Sequence, residues 1–271
     1  MNVLSLFDGM SCGQIALDQL NIKVDNYYAS EIDTNAINIT KDNYPNTKHL
    51  GDVSKVHGND LPKIDLLIGG SPCQDLSVAM KNREGLEGQK SKLFFEFIRV
   101  FNEVNPKYFL FENVGGMKEE DKNIISNLFG VRPIRINSSL VSPALRNRLY
   151  WTNIPNVSQP KDKGIKLKDI LESGYTDRDK ARALLSSDSR PLTTKSRMIH
   201  RYRSTGFTTL IFEDPNFTEE SCRYMTQTEL ERCMTVPDGY TKSVSRNQAA
   251  HHLGNGWTVE VIKHIFKNME E

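Results

Sequence analysis

Four residues at particular places in this chain could do chemistry together. Cys73 stands in Ser71-Pro72-Cys73-Gln74, directly after the apolar run Ile64 to Ile68 and the pair Gly69-Gly70. The run is short and reads as a buried strand. Glycines let the backbone turn, and Pro72 fixes φ beside the cysteine. A thiol at the carboxyl end of a strand, once ionised, is a strong nucleophile. A lone cysteine can equally be a buried structural one. Against that, Gln74 to Lys92 is polar, with Gly85, Gly88 and six charged side chains from Lys81 to Lys92, and reads as a charged flap beside a nucleophile. Glu112 follows the apolar residues Tyr108 to Phe111, and would lie beside Cys73 if the two strands are neighbours. A helix-capping acid is the alternative. Arg146 and Arg148 alternate in Leu145-Arg146-Asn147-Arg148-Leu149, so on a strand both guanidinium groups could enter one site. An exposed basic edge is the competing use.

A second constellation lies nearer the N-terminus. Phe7-Asp8-Gly9-Met10-Ser11-Cys12-Gly13 joins a first strand, residues 3–7, to a helix ending near Leu20. Such a turn lets backbone amides approach a ligand, and a helix N-terminus favours a carboxylate. Glu31, followed by Ile32, ends a second strand at residues 26–31, about 20 residues on, where an acid commonly binds a ribose diol. Asp52, before Val53, ends a short third strand and could accept a bond from an adenine amino group. The turn lacks the Gly-x-Gly-x-x-Gly pattern and a phosphate-binding lysine. Ribose and adenine without pyrophosphate fit S-adenosylmethionine better than NAD or ATP.

The elements that must position these residues alternate. Asp33 is an N-cap for a helix to about Asn43, and residues 91–104 have the helical spacing of Leu93, Phe94, Phe97, Ile98, Phe101 and Val104. Strands are expected at 64–68, 107–112, 133–141 and 148–153, with a helix at 119–129. This rhythm predicts an α/β fold with a mostly parallel sheet covered on both faces. From Asn156 to about Thr241 the rhythm stops. From Ser245 it resumes, and Gly254-Asn255-Gly256-Trp257 leads into a terminal helix. The expected division is 1–154 plus 245–271 against a small domain at 155–244.

At 271 residues, 38% apolar and 25% charged, the composition is that of an ordinary globular chain. The longest apolar runs fall short of about 18 residues, so no membrane span is expected. Neither is a signal peptide, because the chain starts directly as a strand. Cys12, Cys73, Cys222 and Cys233 form no Cys-x-x-Cys pair, which argues against a zinc site or a disulfide scaffold and suits a reducing, cytoplasmic setting. Net charge is +1. Between Thr176 and Gly206, however, Arg178, Lys180, Arg182, Arg190, Lys195, Arg197, Arg201 and Arg203 face only Asp177, Asp179 and Asp188. Interleaved with Thr193, Thr194, Ser196, Ser204 and Thr205, they read as a surface for nucleic-acid phosphates and grooves. A solvated charged face is the bland reading.

Taken in order, Phe7-Asp8-Gly9 with Gly13, Glu31, Gly51-Asp52-Val53, Pro72-Cys73, Glu112-Asn113-Val114, Arg146-x-Arg148 and Asn255-Gly256-Trp257 resemble the motifs of the cytosine carbon-5 DNA methyltransferases. Ser11 stands where the family's first motif usually has a second glycine. The stretches Ser71 to Ser77 and Leu93 to Phe97 most resemble the branch containing the animal de novo enzymes. In that branch the Phe-rich helix also mediates self-association, whereas core packing is the other use for Phe94, Phe95 and Phe97. A chain little longer than a catalytic domain points to a bacterial or phage-type enzyme, with or without a restriction partner. Nothing in the sequence separates a monomer from a homodimer.

The resemblance implies a Rossmann-like S-adenosylmethionine-dependent methyltransferase sheet with a small target-recognition domain, acting on duplex DNA without a metal. It implies that Phe7, Asp8, Gly9, Met10, Ser11, Glu31, Ile32, Asp52, Val53, Pro72, Asn255, Gly256 and Trp257 serve the cofactor. For Trp257, core packing is the alternative. Cys73 would add to carbon 6 of cytosine, and Glu112, with a raised pKa in a closed site, would protonate ring nitrogen 3. Arg146 and Arg148 would hold the flipped base and a nearby phosphate. Ser77, Val78 or Ala79 would fill the gap the base leaves. Arg190, Lys195, Arg197, Arg201 and Arg203 would contact DNA. Thr226 to Tyr240 resembles the motif that anchors the recognition domain. Two rivals remain: a transfer-RNA cytosine methyltransferase, whose branch carries a Cys-Phe-Thr motif not found here, and a non-catalytic DNA-binding relative.

Overall fold

A computed structural model of the chain describes residues 1–72, 92–184, 190–204 and 208–269. Cys73, the flap from Gln74 and the gap-filling candidates Ser77, Val78 and Ala79 lie outside the described residues. The chain forms two compact units. One comprises Met1–Ile136, Asn147–Gln159 and Ile262–Glu271, the other Asn137–Arg146 and Pro160–Val261.

The first unit holds strands β1 (Asn2–Leu6), β2 (Asn26–Ser30), β3 (Lys48–His49), β4 (Leu66–Gly69), β5 (Tyr108–Val114), β6 (Ile134–Asn137) and β7 (Asn147–Thr152). Its helices are α1 (Cys12–Gln19), α2 (Thr34–Asn43), α3 (Lys92–Val104) and α4 (Glu119–Phe129). The sheet order is β3-β2-β1-β4-β5-β7-β6. β1 pairs in parallel with both β2 and β4, and β4 in parallel with β5, while β7 runs antiparallel to β5. Strand order therefore reverses between β1 and β4. The crevice at the carboxyl ends of these two strands is where open α/β sheets bind ligands.

β4 and β5 are buried along their whole lengths, as central strands with both faces covered must be. Asp33 caps α2 as its sequence position suggests, accepting from the amides of Asn35 and Ala36 at 2.9 and 3.1 Å. The core under α3 is aromatic. Phe97 meets Phe111 edge-on with centroids 4.9 Å apart, Phe94 lies 5.3 Å from Phe111, and Phe109 stacks on Phe129 at 5.0 Å. Each such pair contributes about 0.5–1.5 kcal/mol beyond the area it buries. Phe94 and Phe97 are thus core residues, while Phe95 remains 44% exposed. Gly69 permits this packing. A Cβ there would lie 2.5 Å from the Leu6 carbonyl oxygen and 2.9 Å from the Phe97 ring.

Two expected elements change. The first strand ends at Leu6, because Phe7 turns to a left-handed φ of 56°. The strand expected over 133–141 stops at Asn137. There the Asn137 side chain accepts from the Ser139 amide at 3.1 Å and caps a single 3-10 turn, Ser138–Leu140.

The second unit contains α5 (Lys195–Ser204), α6 (Gln227–Cys233), α7 (Arg246–Asn255) and a two-stranded antiparallel sheet of β8 (Ile211–Phe212) and β9 (Cys222–Arg223). The last helix, α8, spans Val259–Phe266. A small core joins Met198, Ile199, Tyr202, Leu210, Phe212 and Cys222. Two buried glutamates tie other parts of this unit together. Glu229 pairs with Arg223 through both oxygens at 2.8 Å. Glu231 accepts from the amides of Gly239 and Thr241 at 2.7 and 2.8 Å. Residues Ser245 to Val261 cluster with this unit, not with the sheet unit to which the sequence reading assigned them. The Thr258 hydroxyl donates to Ser138 at 2.9 Å, and the Val259 amide to the Met234 carbonyl at 3.0 Å. Among the described residues, no helix is long and apolar enough to cross a membrane.

Candidate active site

The turn after β1 has an unusual backbone. Phe7, Gly9 and Ser11 all have positive φ, at 56°, 58° and 60°. Gly9 has nothing within 4 Å of where a Cβ would be, so this side of the turn is open. Glu31, the residue after β2, bounds it on the other side. One carboxylate oxygen accepts from the Gly9 amide at 2.8 Å, and the other from the amides of Ile32 and Asp33, each at 2.8 Å. Carboxylate oxygens carry further lone pairs, so Glu31 can still accept from a diol. Ile32, beside it, is 74% exposed. An exposed branched apolar residue next to an acid suits the flat face of an adenine ring. Asp52 caps the next turn through the Ser54 amide and hydroxyl, both at 2.9 Å, and the Ser54 amide is the main cause of its lowered pKa. Val53 behind it is buried, as is Met10. These residues fit an adenosyl group. The open glycine, the exposed apolar side chain and the acid all stand at the crevice end of the sheet.

Asp8 behaves differently. Its carboxyl accepts from the Tyr27 hydroxyl at 2.8 Å and from the Ser11 hydroxyl, and burial pushes its pKa up to about 6. Thr40 of α2 donates to the Ser11 oxygen at 3.1 Å. Neither Tyr27 nor Thr40 was singled out in the sequence. Tyr27 sits in an apolar strand where a tyrosine reads as core, and its hydroxyl partner becomes visible only once β1 and β2 pair.

The end of β4 meets the end of β5. Gly69 is opposite Phe111, the last pair of the parallel register, and beyond it Ser71 comes within reach of Asn113. Asn113 donates to the carbonyl of buried Ser71 at 3.4 Å. Pro72 is half-buried. Glu112 is buried, and its Oε1 lies 2.8 Å from Nε of Arg148. A carboxylate, the serine-proline turn and a guanidinium are therefore brought together within one unit.

Arg146 has other partners. It lies outside β7, is only 4% exposed, and donates to the carbonyls of Gly254 and Gly256 at 3.0 and 2.7 Å. A cation at the carboxyl end of α7 is favoured by the helix dipole and satisfies carbonyls the helix leaves unpaired. The alternation that the sequence offered for Arg146 and Arg148 gives way to two distinct sets of contacts. Beyond the clamp, Asn255 is exposed and Trp257 half-buried.

The basic residues of the second unit also divide. Lys180 donates to the carbonyls of Ser142 and Ser139 at 3.1 and 2.7 Å and to that of Ile165, Lys195 donates to the Cys222 carbonyl, and Arg178 stacks 4.0 Å over the Tyr202 ring. Arg182, Arg190, Arg197 and Arg203 are exposed, and Arg201 is half-exposed. Among the described residues, no group of three or more His, Cys, Asp or Glu is placed to hold a metal ion.

Comparison with known proteins bears on the family and the fold. A family model described as C-5 cytosine-specific DNA methylase matches residues 1–130 and 144–271. The orphan methyltransferase M.SPRI of Bacillus phage SPR is 35% identical over 189 residues, covering 64% of this chain but 43% of that protein. The chain thus spans less than half the length of this phage relative. The type II methyltransferase M1.ScrFI of Lactococcus lactis subsp. cremoris is 29% identical over 312 positions, covering 99% of this chain and 78% of that protein. In fold, the chain is similar to the crystal structure of S. pombe Dnmt2 methyltransferase, with a TM-score of 0.75 at 19% identity, covering 98% of this chain and 97% of that one.

Proposed function

Because this chain belongs to the C-5 cytosine-specific DNA methylase family, we propose that it methylates carbon 5 of cytosine in a short duplex DNA site, using S-adenosylmethionine and a covalent adduct to Cys73. The observation that carries this reading is Glu112, buried at the carboxyl end of β5, paired with Arg148, and one residue from the Asn113 that reaches the Ser71-Pro72 turn.

Carbon 5 of cytosine is a weak nucleophile. The Cys73 thiolate adds to carbon 6, which turns carbon 5 into the nucleophilic end of an enamine. Glu112, ion-paired with Arg148 in the free protein, takes up a proton as the base enters and places it at ring nitrogen 3, which relieves the charge that this addition develops. Arg148 fixes the Glu112 carboxylate and offers its remaining donors to the base. S-adenosylmethionine, when bound, supplies an electrophilic methyl group on sulfur. Glu31, Ile32, Gly9 and Asp52 hold its adenosine part. A water molecule then takes the carbon-5 proton as the carbon-6–sulfur bond breaks, which releases the Cys73 thiolate and restores the 5,6 double bond, and the nitrogen-3 proton returns to Glu112. A base inside a duplex cannot reach Cys73, so the cytosine must be flipped out. The exposed Arg182, Arg190, Arg197 and Arg203 supply phosphate contacts. Lys195, bound to a carbonyl of its own unit, is a structural cation in the free protein.

The test is to incubate the purified protein with S-adenosylmethionine and either mixed-sequence duplex DNA or a transfer-RNA pool. 5-Methylcytosine is then mapped by conversion sequencing, with Cys73→Ala as control. Methylation of DNA at a recurring short site, absent in the variant, supports the proposal and reads out the site. Methylation confined to RNA, or methylation that survives Cys73→Ala, overturns it.

A further inference from the structure

Ser11 occupies a left-handed conformation, φ 60°, that costs a non-glycine residue roughly 1–2 kcal/mol. It stands where the resembling motif has glycine, so something in this chain must compensate. The structure contains a chain of hydroxyls directed at one carboxylate. Thr40 Oγ1 donates to Ser11 Oγ, Ser11 Oγ donates to Asp8 Oδ2, and Tyr27 Oη donates to Asp8 Oδ1. Both Asp8 oxygens are acceptors in this arrangement, which is the hydrogen-bonding state of an ionised carboxylate. A proton on either oxygen would oppose an incoming donor. The Asp8 amide meanwhile donates to the Ser30 carbonyl at 3.1 Å, and the Ser11 amide to the Asp8 carbonyl at 3.1 Å, so the same residue also pins the backbone of the turn.

We propose that Asp8 is a positioning residue and touches no cofactor: its ionised carboxylate holds Ser11 left-handed and thereby keeps the Phe7–Ser11 turn in the shape that receives the cofactor. The inference rests on the S-adenosylmethionine reading above. Asp8 is half-buried in the turn, and the loss of water around its carboxyl raises its pKa to about 6. The groups around it are Ser5 from β1, Tyr27 from β2, Ser11 and Thr40, all neutral there, with Glu31 the charged neighbour.

The experiment is equilibrium binding of S-adenosylhomocysteine by calorimetry, which needs no turnover. That ligand has no group titrating between about pH 5.5 and 7.5. Wild-type affinity should fall about fourfold from about pH 7.5 to about pH 5.5, the ratio of ionised fractions for a group of pKa about 6. Asp8→Asn should bind more weakly at the upper pH and lose the pH dependence. On a Ser11→Gly background, where the left-handed residue needs no support, Asp8→Asn should cost little. Tyr27→Phe, which removes one donor, should shift the midpoint upward and serves as the second variant if Asp8→Asn does not fold. A flat wild-type profile, a profile unchanged in Asp8→Asn, or effects of Asp8→Asn and Ser11→Gly that simply add would each overturn the inference and leave the cofactor reading intact. Wild type that fails to bind S-adenosylhomocysteine at any pH overturns both.

Discussion

Glu112 and Arg148 form a diagonal pair across an antiparallel ladder. In register, Glu112 faces Tyr150 and Val114 faces Arg148, yet Nε of Arg148 reaches Oε1 of Glu112 at 2.8 Å. Residues offset by two across a ladder share a face and lie within reach of a long side chain. The side chains are only 17% and 10% exposed, so this is a shielded ion pair and not a surface one. Removing one partner leaves an uncompensated charge. Arg148→Ala should therefore destabilise the protein by about 3 kcal/mol in urea unfolding at neutral pH, with part of the loss restored by adding Glu112→Gln. A change below experimental error would mean that water reaches Glu112 freely.

Arg146 should give a different result. Its two bonds to the Gly254 and Gly256 carbonyls hold the turn that precedes Trp257. Arg146→Ala should cost about 2–3 kcal/mol, as charged hydrogen bonds of this kind do. It should also raise the accessibility of Trp257 to iodide quenching. The chain has two tryptophans, and Trp151 is buried in the sheet core, so the change in quenching reports Trp257. Unchanged quenching would show that the turn keeps its shape without the clamp.

Ile32 separates binding from stability. At 74% exposure it contributes little to folding. Ile32→Ser should leave the melting temperature within about one degree, since surface changes generally stay within about 0.5 kcal/mol. Calorimetry should show S-adenosylhomocysteine binding weakened about tenfold, the loss expected when an apolar contact of about 1.4 kcal/mol is removed. Equal affinity in the two proteins would remove Ile32 from the site.

His49 sets part of the acid stability. Neither ring nitrogen meets a hydrogen-bond partner among the described residues, and burial, then Lys41, lowers its pKa below 6.5. A histidine whose folded pKa is depressed contributes stability that is present above its unfolded pKa and lost as pH falls through the folded value. Stability should therefore drop on acidification below about pH 6.5, the ordinary histidine value, and His49→Leu should flatten that slope. Asp8 works in the opposite sense. Its raised pKa contributes stability present below 3.8 and lost as pH rises through about 6, so Asp8→Asn should steepen the acid decline. An unaltered urea profile between pH 5 and 7 in His49→Leu would contradict the assignment.

Much of the fold was legible because α/β units advertise themselves. Leu66 to Ile68 and Tyr108 to Phe111 are continuous apolar runs of the kind buried strands require, the second followed at once by Glu112 and the first, after a short turn, by Cys73. Asp33 could be read as a cap from its position alone. The use of Arg146 was not legible. Its spacing from Arg148 is that of a strand, but the chain joins the ladder only after it, at Asn147, and its carbonyl partners lie more than one hundred residues away. The excursion after Asn156 concealed α5 and α6 because their apolar positions are few and serve a small core. A charge count also cannot tell a phosphate contact from an internal cap. Lys180 and Lys195 serve their own unit's carbonyls, whereas Arg190, Arg197 and Arg203 remain in solvent.

Gly69 sets a limit on how this protein can change. The backbone at the end of β4 passes so close to the Leu6 carbonyl and the Phe97 ring that even a methyl group has no place. The segment leading to Ser71 and Pro72 is consequently moored to the main body by an anchor of fixed dimensions. Drift in the surrounding sequence can retouch helix surfaces, loops and recognition residues, but at this position the accessible alphabet shrinks to a single letter. Any lineage descending from this chain, natural or engineered, inherits that restriction.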